Sequence, residues 1–270
     1  MIDIQNITFA YKKKTPLFED FSLSLVSGSI VGLLGKNGAG KTTLLKLISG
    51  LLPTQGGAIT VNGFAPKERK PSFLADVSFI PEEFSLPSLS ISAYVAALQP
   101  LYPNFDSEKL DNILTEFELQ RCDKLHNISH GQRKKFLIAF ALSCNSKVLI
   151  LDEPTNGLDI PSKSLFRKVL VSSVTDEQIV LISTHQVKDI DSVIDTVVVL
   201  DKGKTIFNDS FENVSRDYRF EIVNDLQTAE NALYCEKKLN GYHCIASAHN
   251  HEETNVDLEL FFNFLTTKKS

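Results

Sequence analysis

The chain has 270 residues, of which 43% are hydrophobic and 23% charged, with a formal net charge of -5. That is the make-up of an ordinary globular protein long enough to bury a proper core, and it lacks the cationic excess needed to displace phosphate counterions, which argues against broad nucleic-acid binding. The longest uncharged run, Ser85 to Phe105, holds Pro87, Pro100 and Pro103 and suits no lipid span, and the start has no basic, apolar leader, so the chain is expected to stay in the cytosol.

Ile2 to Tyr11 reads as a first strand with a change of phase at Gln5-Asn6, and Phe21, Leu23 and Leu25 alternate with serines as in an antiparallel edge layer. Ser29 to Leu34 is apolar and partly β-branched, a buried strand, while Lys41 to Leu52 carries leucines and an isoleucine at helical spacing. Between them, Gly35-Lys36-Asn37-Gly38-Ala39-Gly40-Lys41-Thr42-Thr43 fits the phosphate-loop pattern G-x-x-x-x-G-K-[ST] in full. Its glycines let successive N–H groups turn inward toward phosphate oxygens, and the helix dipole adds favourable potential. Lys41 is expected to reach the β- and γ-phosphates and the Thr42 hydroxyl to ligate Mg²⁺.

Ala58 to Asn62 and Val77 to Ile80 are further short strands. From Glu82 helical signals take over: Ile91 to Leu98, Lys109 to Phe117 behind an Asp106-Ser107 cap, and a helix from about Gly131 to Ser143, read together as an insert. Strand character returns at Val148 to Leu151, leading into Asp152-Glu153-Pro154. This is a Walker B pattern, whose aspartate can hold Mg²⁺ beside the phosphate loop and whose glutamate is placed to deprotonate a water attacking the γ-phosphate. A helix starts after Asp159 at Pro161, two strands follow at Ile179 to Ile182 and Thr196 to Leu200, and a turn at Asp201-Lys202-Gly203-Lys204 leads to Thr205-Ile206-Phe207. Strands alternating with helices point to a mainly parallel sheet. The tail reads as a strand (Arg219 to Val223), a helix (Thr228 to Leu239), a strand (Tyr242 to Ala246) and a short final helix (Leu258 to Leu265), too small for a large core. Cys122, Cys144, Cys235 and Cys244 show no paired or metal-ligand spacing and read as free thiols.

Ile128-Ser129-His130-Gly131-Gln132 at a helix start brings these pieces together. The combination resembles the ATP-binding cassette family, whose signature is Leu-Ser-Gly-Gly-Gln, over Ile2 to about Phe207. The resemblance implies that Tyr11 stacks on adenine, that Gly35 to Thr43 bind the phosphates, and that Ser129, Gly131 and Gln132 form the signature. It further implies that Asp159 belongs to the D-loop and that His185, after Ser183-Thr184, is the switch histidine, contacting the γ-phosphate held by Lys41 and holding the attacking water beside Glu153. The fold implied is an α/β P-loop NTPase core with a mainly parallel sheet, an antiparallel β layer and a helical subdomain (about 82–145) within residues 1–208, then a small α+β extension over 209–270. Two cassettes of the family pair head to tail around ATP and Mg²⁺, one Walker A against the other's signature, so a second subunit, most simply an identical one, and a separate transmembrane permease, exporter-type by the tail, are the expected partners.

Two positions depart from the family. Glu82 stands at the Q-loop glutamine, where a carboxylate can still ligate Mg²⁺ but adds negative charge and cannot donate. His130 replaces the first signature glycine and would be strained if that position needs φ > 0. A soluble cassette protein of translation or DNA maintenance is the alternative, though such relatives usually carry two cassettes or a long coiled coil. A nucleotide kinase or GTPase would share the phosphate loop but has no reason to carry the 128–132 signature or His185.

Overall fold

The computed structural model describes residues 1–12, 15–225, 229, 231–248 and 254–267. A six-stranded sheet runs through its centre in the order β5-β6-β7-β3-β8-β9. Its members are β3 (Ser29–Gly35), β5 (Val77–Ile80), β6 (Val148–Asp152), β7 (Ile179–Thr184), β8 (Thr196–Asp201) and β9 (Lys204–Ser210). All pairings are parallel except β8 with β9, which the 201–204 turn joins as a hairpin. The inner strands are buried throughout because both faces are covered. Val31, Leu33, Val148, Ile150, Leu181 and Val198 face one core, while Leu34, Leu149, Leu151, Val180, Ile182 and Val197 face the other, the alternation a pleated strand imposes.

The first core lies under helix α1 (Lys41–Ile48) and an antiparallel layer, ordered β2-β1-β4, of β1 (Ile2–Phe9), β2 (Phe18–Leu25) and β4 (Gly56–Val61). The phase change at Gln5-Asn6 is a register shift between Ile4 and Ile7, with Asn6 at φ 50°. Helix α1 is shorter than its leucine spacing predicts: Ser49 caps it and Gly50 turns left-handed at φ 71°. A short helix α2 (Pro71–Ala75), not foreseen, leads into β5.

The second core takes α3 (Ile91–Leu98), α4 (Ser107–Glu116), α5 (His130–Ser143) and α6 (Ile160–Ser173). Ser90, Asp106, Ser129 and Asp159 each cap their helix by accepting a backbone N–H from the first turn. Cys144, at the end of α5, is buried, which pushes its thiol up to about 12 and keeps it protonated.

After β9 come α7 (Phe211–Asp217), which weak periodicity hid, and a sheet ordered β10-β12-β11 from β10 (Tyr218–Val223), β11 (Tyr234–Lys238) and β12 (Gly241–Ser247), covered by α8 (Leu258–Thr267). Two expectations are corrected here. The helix expected over Thr228 to Leu239, part of which lies outside the described residues, contains a strand at Tyr234–Lys238. Cross-strand pairing outweighs the helix-forming Glu236-Lys237-Lys238, and the Tyr234 ring packs on Phe264 while Glu236 Oε1 accepts from Asn263 Nδ2 at 2.8 Å. Cys235 and Cys244 are not free thiols: they sit directly opposite in the β11–β12 register, with Cα atoms 4.2 Å apart, and form a disulfide. Cys122 and Cys144 are free.

The tail shares the second core through Tyr218, Phe261 and Phe264 rather than building one of its own. With a sequence separation of 9, loop-closure entropy makes the bridge worth about 2–3 kcal/mol. Cys235→Ser is therefore expected to speed hydrogen exchange of the β10–β12 amides while leaving those of β3, β6 and β7 unchanged.

Candidate nucleotide site

The C-terminal ends of β3, β6 and β7 lie side by side, the edge of a parallel sheet where ligands bind. There the chain leaves β3 at Gly35 and enters α1 at Lys41, and the turn between holds Gly38 at φ 83° and Gly40 at φ 110°. Both need glycine. A Cβ on Gly40 would lie 2.9 Å from the Phe18 ring, whereas Gly38 faces open space with nothing within 4 Å. Residues 36–43 curl round a cleft of about 380 Å³ whose other walls are Tyr11, Leu17, Glu82 and Glu153. Tyr11 leans over its mouth, its hydroxyl 3.0 Å from Thr43 Oγ1.

Lys41 is 7% exposed, and its Nζ donates to the Gly35 carbonyl at 2.7 Å and lies 3.8 Å from Glu153 Oε1. Burial lowers its pKa, and Glu153, Asp152 and Glu82 pull the other way. Thr42 Oγ1 donates to Asp152 Oδ1 at 3.2 Å, and Ser183 Oγ donates to the same oxygen at 2.5 Å. A threonine hydroxyl beside a buried carboxylate is a hard-oxygen pair that suits Mg²⁺.

Glu153 is 4% exposed and held at φ 48°. Its backbone N–H donates to Ser183, and its carbonyl accepts from Lys134 Nζ at 2.7 Å. His185 Nδ1 lies 2.9 Å from Oε1, while Oε2 is buried without a partner. A buried carboxylate oxygen left unpaired at the wall of a phosphate cleft has the reach and the free lone pairs to take a proton.

The cleft thus gathers Tyr11, Lys36, Asn37, Gly38, Ala39, Gly40, Lys41, Thr42, Thr43, Glu82 and Glu153, with Asp152 and His185 joined through Thr42 and Glu153. It does not gather Ser129, Gly131, Gln132 or Asp159, none of which lines it. Ser129 and Gln132 close a reciprocal capping box at the start of α5, Ser129 N–H to Oε1 at 2.9 Å and Gln132 N–H to Oγ at 3.1 Å. Asp159 caps α6, accepting from Ser162 N–H at 2.9 Å, and the next side chain, Ile160, is 84% exposed. His130 is the first helical residue with no positive φ, so no strain attaches to it, and its ring stacks on Phe84 at 5.0 Å.

Ser183, Lys134 and Asn156 were missed from sequence. Ser183 could have been found, since aligning the ends of two neighbouring parallel strands sets it opposite Asp152. For the other two no motif gives a signal.

A phosphate loop, a strand-end aspartate and a buried glutamate on this sheet define a P-loop nucleoside triphosphatase. The profile of the ABC transporter family matches residues 18–156. The ABC transporter ATP-binding protein NatA of Bacillus subtilis is 30% identical over 223 residues, 79% of this chain and 89% of that protein. The zinc uptake system ATP-binding protein ZurA of Listeria monocytogenes is 29% identical over 256 residues, 87% and 97% of the two chains. Among solved structures, a dimeric ATP-binding cassette in a post-hydrolysis state with ADP and Pi superposes with a TM-score of 0.68, at 21% identity, over 78% of this chain and 98% of that one. The chain belongs to the ABC transporter family, as an ATP-binding subunit of the ATPase class.

Proposed function

We propose that the chain binds and hydrolyses ATP as the motor of a membrane transporter, pairing with a second copy of itself and driving a separate transmembrane permease. The carrying observation is the split of the motif residues. The Walker A loop and Glu153 line the cleft, whereas the signature residues at the start of α5 do not. Ser129 and the free N–H groups of α5 form an anion site suited to a γ-phosphate held by another copy's Lys41. In this reading residues 1–208 are the cassette and 209–270 an extension.

Tyr11 stacks on adenine, the 35–43 backbone cradles the phosphates, and Thr42, Asp152 and Glu82 would hold Mg²⁺, which would neutralise phosphate charge. Glu153 takes the proton of the attacking water through its unpaired Oε2, and His185, hydrogen-bonded to Oε1, keeps that carboxylate facing the cleft. Asp159 and the exposed Ile160 stand at the pairing surface. No described helix is long and apolar enough to cross a membrane. In this reading a separate permease spans it and the subunit stands on the permease's cytoplasmic face.

We take export as the direction, on the tail alone. Uptake is the second reading, favoured by the likeness to ZurA across 87% of the chain.

Hydrolysis per chain is expected to rise with protein concentration and vanish on dilution, because an isolated copy holds only half a site. A rate per chain independent of concentration down to the lowest measurable level, with one copy per particle, rules the pairing out.

A further inference from the structure

Asn156 lies in the turn after Glu153, and its amide joins segments that are far apart in sequence. Nδ2 donates to Glu82 Oε1 at 2.8 Å, across 74 residues, and Oδ1 accepts from Gln186 Nε2 at 3.2 Å, across 30. Its carbonyl accepts from Lys134 Nζ at 3.0 Å, and that same ammonium holds the Glu153 carbonyl. Glu82 lines the nucleotide cleft, and Gln186 directly follows His185, whose ring meets Glu153.

An asparagine that merely shapes a turn bonds its own backbone one or two residues away. Both side-chain bonds of Asn156 go instead to other loops. We propose that Asn156 is a positioning residue for hydrolysis, tying the Glu82 loop to the His185–Glu153 pair so that movement of Glu82 reaches the general base; this rests on Glu153 acting as that base.

The residue types fit the task. A carboxylate at position 82 only accepts, so it fixes Nδ2 on Glu82 and leaves Oδ1 for Gln186. Aspartate at 156 could not donate, and serine could not span both partners. Lys134, 1% exposed, sets the turn from below. Burial lowers its pKa, against the pull of Glu82, Glu153 and Asp152, and those carboxylates give the buried cation its electrostatic partners. The Phe84–His130 stack, beside Gly157, adds a second tie between the Glu82 loop and α5. His130, which departs from the signature glycine, and Glu82, which departs from the Q-loop glutamine, therefore meet at one turn.

The test compares steady-state ATP hydrolysis of the full chain, with Glu153→Gln measured alongside. Asn156→Ala, which spares the carbonyl bound to Lys134, is expected to lower kcat about tenfold with KM changed by less than about twofold, the size of two lost hydrogen bonds felt only during hydrolysis. Asn156→Asp sets two carboxylates face to face and falls further, and adding Glu82→Gln, whose amide can donate, restores activity above the Asn156→Asp level. Gln186→Ala changes an exposed side chain, whose Oε1 also accepts from Lys163 Nζ at 3.0 Å, and it must repeat the loss in kcat without a loss of ATP affinity and with thermal stability kept. Wild-type kcat in either Asn156→Ala or Gln186→Ala, or no recovery when Glu82→Gln is added, overturns the inference while leaving the base intact if Glu153→Gln is dead. An active Glu153→Gln overturns the base, and this inference with it.

Discussion

Glu153→Gln should hydrolyse ATP at least about 10²- to 10⁴-fold more slowly than the native chain, the range a positioned general base supplies, while binding ATP as well or better. The amide has the same shape and can still meet His185 through its Oε1, so the turn at φ 48° and its bonds to Ser183 and Lys134 are kept. What goes is the proton acceptor at Oε2 and a buried negative charge next to the phosphates. Ground-state binding therefore does not suffer, because a carboxylate 3.8 Å from Lys41 competes with the γ-phosphate for that ammonium and a neutral amide does not. Loss of turnover with retained binding should leave ATP trapped and the paired state populated. Light scattering during size exclusion in MgATP should show twice the monomer mass, and nucleotide extraction should return ATP rather than ADP. A monomer in saturating MgATP would rule out the pairing, and a rate within about threefold of native would mean the base lies elsewhere.

The part of this centre that could be read in the sequence is the part fixed by local geometry. A phosphate loop sits between a strand and a helix start, where glycine dihedrals and free N–H groups coincide, so nine consecutive residues state the phosphate-binding turn. Asp152 and Glu153 are legible for a similar reason, at the end of a run of four apolar residues, two of them β-branched, that reads as a buried strand. Ser183 becomes visible only once β7 is known to lie beside β6, and nothing local gives Lys134 its value. A lysine on an amphipathic helix normally faces water, and this one is buried because two backbone carbonyls of the 153–156 turn, supplied by another element, await it.

The tail failed in the opposite direction. Thr228 to Leu239 reads as helix on propensity, but a strand next to β12 packs Tyr234 against α8 and brings Cys235 opposite Cys244, gains that propensity does not count. The same register produced the disulfide. Spacing along the chain cannot show it, since the pairing depends on which residues face each other across two strands.

Mixing two inactive variants is expected to restore hydrolysis. Lys41→Met deletes the ammonium that faces the cleft but leaves the first helix of the cassette and the α5 capping box untouched, so such a chain cannot serve its own phosphates yet still offers a sound signature. Ser129→Arg does the reverse: a long cation replaces the hydroxyl that caps α5, while the loop at 35–43, on a different element, is preserved. Each variant alone forms pairs in which both composite sites are broken. In an equimolar mixture with random exchange, half the pairs contain one chain of each kind, and each of those has one site broken twice and one built wholly from native parts. Activity should recover to about one quarter of native, because a two-fold pairing contributes two equivalent sites per dimer. A site completed within a single chain predicts the opposite, since neither variant carries a whole one and no mixture can create it. The rate of the mixture set against the mean of its components therefore separates the two architectures without any knowledge of the transported substrate.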